Sequence, residues 1–203
     1  MRQSQLTPDE IVAPADGRRA RSERSRQQII DALFTLVQSG EMKPSAARVA
    51  ETANVSLRTV FRHFEEIDDL YREMAKQCRD RISPEFNKPY DAIDWRGRLL
   101  EHAERRIKMF EEIMYLRICT ESRRFKSDVL MSDYQRFFQM ERDGLERVLP
   151  RKPKLGVRTV AAMDVTLSFE SYRRLRQESQ FSVKEARSIV LELLRIIVDR
   201  VDD

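Results

Sequence analysis

Residues Ser45 to Phe64 read SAARVAETANVSLRTVFRHF, and their spacing predicts two short helices joined by a tight turn. Ser45 suits the N-cap of the first, because its hydroxyl can accept from an orphan first-turn amide, and the strong helix formers Ala46, Ala47 and Ala50 follow. Asn54 suits the end of that helix, where Gly or Asn most easily takes a left-handed backbone. Ser56 can cap a second helix over 57–64, leaving a link of about three residues, as a helix-turn-helix requires.

Unrolled at about 100° per residue, the second helix separates into faces. Val60 and Phe64 fall together and are expected to pack on Val49, Ala50 and Ala53, while Arg58, Thr59 and Arg62 point the opposite way. Leu57 and Phe61 flank that outward face on one side and His63 on the other. Guanidinium groups held away from a small apolar core match a base edge, since Arg can bond guanine O6 and N7 bidentately. The alternative for the same residues is a solvated helix with ordinary surface arginines.

The run TANVSLRTVFRHF followed by EEIDDLYREM resembles the DNA-binding domain of TetR-family bacterial transcriptional regulators over about residues 26 to 75. Val55, Ser56, Thr59, Phe61, His63 and Phe64 carry the family's cadence. The resemblance implies DNA contacts from Ser45, Ala47, Arg48, Ser56, Leu57, Arg58, Thr59, Phe61, Arg62 and His63. It also implies an all-α fold: a three-helix helix-turn-helix domain, then a helical domain for effector binding and dimerisation. The sequence departs from the pattern at Asn54 (commonly Gly), at Phe61 (commonly a Tyr whose hydroxyl touches phosphate), and at Ile67 (often a Lys that touches the DNA backbone).

Composition fits helices. Of 203 residues, 35% are charged and 41% hydrophobic, with only five Gly and seven Pro. The formal charge of +4 is too mild to argue for nucleic acid on its own, so the placement of the arginines carries the weight. Cys78 and Cys119 have no metal-ligand spacing, and no apolar run is long enough to span a membrane. A cytoplasmic protein without a cofactor is expected. Two histidines give little material for a His-based triad or metal site, and neither a phosphate-binding Gly loop nor a G-x-S-x-G elbow occurs. Enzymatic activity is therefore not expected.

Residues 1–22 lack helical periodicity and contain Pro8, Pro14 and Gly17, and the arm, placed at 1–24, leads into a basic cluster of Arg18, Arg19, Arg21, Arg24 and Arg26. They are expected to form a disordered basic arm, either solvated or following DNA phosphates. The DNA-binding domain is placed at 25–82, with a bracing helix over 25–39 ended by Gly40 and a connecting helix over 67–81. Ser83, Pro84, Asn87 and Pro89 interrupt the pattern, so the second domain is placed at 83–203.

In that domain Trp95, Leu99, Ala103, Ile107 and Phe110 form one apolar stripe, and helices are expected over 127–149, 157–177 and 182–201. Ser182 and Glu185 predict a capping box. The last helix spreads its apolar residues over roughly 220°, about twice what one side of a monomeric core uses. The last two helices are therefore expected to pair with a second copy. A small-molecule effector pocket is expected among Met109, Phe110, Met114, Phe137, Phe138, Met163 and Phe169, with His102, Arg106, Asp164, Glu170 and Tyr172 as polar residues on mostly apolar faces, Asp164 equally suiting a pair with an arginine of a second copy. The same aromatic and Met residues equally suit a plain core. The expected function is a homodimeric repressor of a palindromic double-stranded DNA operator, released by an effector. The alternative is a helical adaptor with a vestigial helix-turn-helix.

Overall fold

The computed structural model describes residues 14–152 and 154–201. They form α1 (Pro14–Gln38), α2 (Ala46–Thr52), α3 (Leu57–His63), α4 (Ile67–Phe86), α5 (Trp95–Arg123), α6 (Asp128–Val148), α7 (Val157–Thr166), α8 (Phe169–Arg173) and α9 (Val183–Val198), with no strand among the described residues. The all-α expectation holds. No described helix is long and apolar enough to cross a membrane.

The contacts divide the chain into two compact units between Ile67 and Asp68. In the first, α1, α2 and α3 pack on one another. Ile29, Ile30, Leu33, Leu36 and Val37 of α1 share a buried core with Val49, Ala50, Val60 and Phe64. Burying such side chains contributes about 1.5–3 kcal/mol each, which is what holds three short elements in place. Gly40 ends α1 with φ of 93°.

Two expectations need correction here. Residues 1–13 of the expected disordered arm lie outside the described residues, but 14–24 are helical and continue α1. The physical reason is local: proline is tolerated at a first helical position, and Arg18, Arg19, Ala20, Arg21 and Arg24 are good helix formers that outweigh one glycine. The interruption expected after residue 81 also falls later, since α4 runs through Ser83 and Pro84 to Phe86. Pro84 sits in the last turn on the exposed side, where a missing amide donor leaves only a solvated carbonyl unmatched. The connecting helix, grouped by sequence with the first domain, thus falls largely in the second compact unit.

In the second unit α5 is central, and α6, α8 and α9 pack against it. Asp94 caps α5, accepting from the Gly97 amide at 2.8 Å. The apolar stripe that begins at Trp95 lies on one continuous helix that runs on past Phe110 to Arg123. Cys78 of α4 and Cys119 of α5 are buried and not joined in a disulfide. Ser127 caps α6, and the Ser182–Glu185 capping box opens α9 as expected.

The single helix expected over 157–177 is broken. α7 stops at Thr166, α8 starts at Phe169, and a π turn follows over Arg174–Glu178. Ser168 starts the new helix: its Oγ accepts from the Ser171 amide at 3.2 Å and donates to the Val165 carbonyl at 2.8 Å.

Candidate functional site

The two caps read from sequence are formed. Ser45 Oγ accepts from the Arg48 amide at 3.2 Å, and Ser56 Oγ accepts from the Thr59 amide at 3.1 Å. Asn54 takes φ of 52°, the left-handed conformation its position required. Val60 is buried at 1% exposure, which fixes the rotation of α3 and turns Arg58 and Arg62 outward. Neither arginine has an ion pair or hydrogen bond among the described residues. Thr59 lies beside them with its hydroxyl 2.8 Å from Ser56 Oγ.

Leu57 and Phe61 flank this face and are 43% and 47% exposed, a large apolar area for a short helix to leave in water. His63 is partly buried on the other side and has its pKa lowered, by burial first and then by the positive charges of Arg62 and Arg26. It is therefore neutral at pH 7. Arg48 differs from its neighbours: its guanidinium meets Glu51 at 2.8 Å and Glu41 at 3.4 Å. Ala47 is exposed on the same helix. Arg26 stacks on the Phe64 ring at 5.2 Å and so braces α1 against the end of α3.

In the second unit, of the residues singled out as polar on apolar faces, His102, Arg106 and Tyr172 are buried, while Asp164 and Glu170 are partly buried. Arg106 is fully buried and donates to the carbonyls of Leu167, at 2.9 Å, and of Glu141. The Glu141 carboxylate accepts from the Phe169 amide at 3.1 Å. One residue of α5 and one of α6 thus satisfy the two backbone groups exposed where α7 gives way to α8. Arg106 bonds the backbone of Glu141 and not its carboxylate, so burial pushes that carboxyl up to about 7, with the nearby Arg106 charge offsetting only part of the effect.

His102 is also fully buried, with Nδ1 2.9 Å from the Tyr90 hydroxyl and its ring edge against Phe86. Burial drives its pKa down to about 3, so it is a neutral core histidine. It fits because α6 carries Gly144 opposite: a Cβ there would lie 2.9 Å from His102 Cε1.

Phe110, Phe137, Phe169 and Tyr172 pack ring against ring, with Phe110–Phe169 centroids 5.5 Å apart and Phe137–Phe169 centroids 6.4 Å apart. Met109, Met114 and Met163 are buried with them. Met109 borders a hollow of about 70 Å³ and Phe137 another of about 20 Å³. Both are far below the roughly 300 Å³ at which small-molecule sites begin. Phe138 departs from expectation: it is 44% exposed, because a helix turns successive residues about 100° apart and Phe137 takes the inner position. Glu170 is partly buried and accepts from the Tyr134 hydroxyl at 3.4 Å.

The sequence reading missed Arg117, Asp133 and Glu141, all buried. Arg117 lies over the Phe137 ring at 4.1 Å and pairs with Glu121 at 2.9 Å, and Asp133 pairs with Arg79 at 2.5 Å. A signal was present. Asp133 and Glu141 stand four residues either side of Phe137, and Leu145 follows Glu141 by four, so both carboxylates occupy the core stripe of α6.

No family model matches the chain, and none of the curated proteins matches it by sequence. Solved structures do. A transcriptional regulator from Rhodococcus sp. Rha1 superposes with a TM-score of 0.68 at 17% identity, covering 86% of this chain and 96% of its own. A protein described as a TetR-family transcriptional regulator from Mesorhizobium loti MAFF303099 gives 0.64 at 19%, covering 88% and 97%. The multidrug binding protein EbrR, complexed with imidazole, gives 0.55 at 18%, covering 83% and 93%. Built from a capped helix-turn-helix and a larger helical unit, the chain has the fold of the TetR-family transcriptional regulators.

Proposed function

We propose that the chain is a DNA-binding transcriptional regulator, acting as a homodimeric repressor of a palindromic operator and released by a small-molecule effector. The observation that carries this reading is the outward face of α3, where Arg58 and Arg62 have no ion pair among the described residues, on a helix whose rotation the buried Val60 fixes. Thr59, Ser56 and the exposed Leu57 and Phe61 complete a face suited to base edges and thymine methyl groups. Ser45, Ala47, Arg48 and His63 border it. Arg48 must exchange two carboxylate partners for a phosphate, so it contributes less than Arg58 and Arg62. With no hydroxyl at Phe61 and no ammonium at Ile67, the head leans on the arginines of α1 for phosphate contacts.

The dimer reading is supported by uncovered apolar stripes. Leu193 and Ile196 of α9 are 45% and 46% exposed, and Val157 and Val165 of α7 are 85% and 64% exposed. Two heads related by a two-fold axis would read half-sites about 34–36 Å apart. The effector reading is supported by the buried polar groups of the second unit and by the imidazole-bound state of EbrR. An effector favouring one setting of the heads shifts the population away from the form that spans both half-sites.

Selection from random DNA with the full-length chain tests this. A palindromic consensus, with dimers in sedimentation at micromolar concentration, is the expected result. Failure to enrich any sequence transfers the chain to the alternative of a helical adaptor, and a monomer sinks the two-headed reading.

A further inference from the structure

A groove of about 530 Å³ opens in the second unit between the end of α6, the loop after it and the start of α7. Of the residues expected to line an effector pocket, Asp164 alone borders it. Its size falls in the roughly 300–1,000 Å³ range of small-molecule sites, well above the hollows inside the bundle. The floor is apolar: Leu145 at the bottom, with Leu149, Leu155, Val157 and Val160 along the walls.

The rim is cationic. Arg142, Arg151 and Lys154 line the mouth, and none has an ion pair or hydrogen bond among the described residues. Lys152 and Arg158, both exposed, add two more cations close in sequence. Two carboxylates, Glu146 and Asp164, also border the groove, so the excess is positive but not unopposed. The first turn of α7 follows Gly156, an N-cap with no side-chain hydrogen bond, and Val157 and Val160 of that turn line the groove.

From this charge complementarity the geometry points to a binding site for an amphipathic anion, whose hydrocarbon chain lies on Leu145 and Val160 and whose carboxylate or phosphate head meets Arg142, Arg151 and Lys154. The site rests on the reading of the second unit as the small-molecule-sensing half, but its binding needs no operator.

Titration calorimetry on the full-length protein without DNA tests it, using decanoate, decyl phosphate, decanol and inorganic phosphate as probes. Decanoate and decyl phosphate bind, the tighter of the two naming the head group, while decanol and inorganic phosphate each bind about tenfold more weakly or not at all. Arg151→Ala/Lys154→Ala, two exposed loop positions, weakens both anionic amphiphiles about tenfold without changing the melting temperature, and the gap narrows in high salt. Equal binding by decanol, equal binding by inorganic phosphate, or an unaffected double variant overturns the assignment. Binding of neither amphiphile also overturns it, and leaves the groove to the second copy proposed to cover the α7 stripe. Because the assay contains no DNA, a failed operator selection leaves its result untouched, and a failed titration leaves the operator reading intact.

Discussion

Arg62 carries the sharpest residue-level consequence. If it reads a base edge, Arg62→Ala costs on the order of 1–3 kcal/mol and relaxes specificity at one operator position, measured by competition among single-base operator variants. A uniform loss across all sequences would make it a phosphate contact. Gly144 is the matching case inside the second unit. Glycine in a helix interior costs about 1 kcal/mol relative to alanine, so by propensity alone Gly144→Ala should stabilise. A methyl there would lie 2.9 Å from His102 Cε1 and 3.3 Å from Phe86 Cζ. The His102 ring is held by Tyr90 and Phe86 and has little room to yield. Overpacking of this kind costs about 1–3 kcal/mol, so the variant should unfold at lower urea. A midpoint at or above that of the parent would show that the ring gives way.

At the level of elements, α1 supports the next prediction. Its buried face begins at Ile29, and Arg18, Arg19, Arg21 and Arg24 lie on its exposed portion. Deleting residues 1–24 should therefore spare the fold while flattening the salt dependence of operator binding by about 0.9 in slope for each phosphate contact removed. An unchanged slope excludes this segment from the interface. The same helix shows what sequence conveys and what it withholds. Ser45, Asn54, Ser56 and the Ser182–Glu185 box were legible because a cap is a local event within one turn. The helicity of 14–24 was not, since the arginines that mimic a disordered tail are also good helix formers. The break between α7 and α8 was hidden for a different reason. It is held by Arg106 and Glu141, which reach Leu167 and Phe169 from 61 and 28 residues away. Nothing around Ser168 announces those partners. Of the candidate site, the α3 face was readable from a helical wheel, as was the place of Glu141 in the core stripe of α6, whereas the buried Arg117 passes for a solvated charge until the neighbouring helices are in place.

For the whole molecule, two buried groups set opposing responses to pH. The Glu141 carboxyl is raised from 4.5 to about 7, so the folded chain holds a proton there that the unfolded chain releases. Its contribution is fully present below about 4.5 and is lost as pH rises through about 7. His102 is lowered from 6.5 to about 3, so its contribution is present above about 6.5 and is lost as pH falls toward about 3. Between about 4.5 and 6.5 the two slopes cancel. Urea midpoints for Glu141→Gln should therefore fall steadily on acidification through that window, while the parent stays nearly level. Parallel profiles would mean that the Glu141 carboxyl titrates normally.

The buried cysteines of the bundle have a practical consequence. Cys78 and Cys119 are 3% and 0% exposed, and burial raises both thiols to about 11. Neither presents thiolate to an alkylating reagent while the helices are closed, so iodoacetamide incorporation under native conditions counts excursions out of the closed state. The two residues sit on α4 and α5 and can be told apart by peptide mass. Equal labelling rates mean that the second unit opens as one cooperative body, whereas faster reaction at Cys78 means that α4 comes away while α5 stays closed.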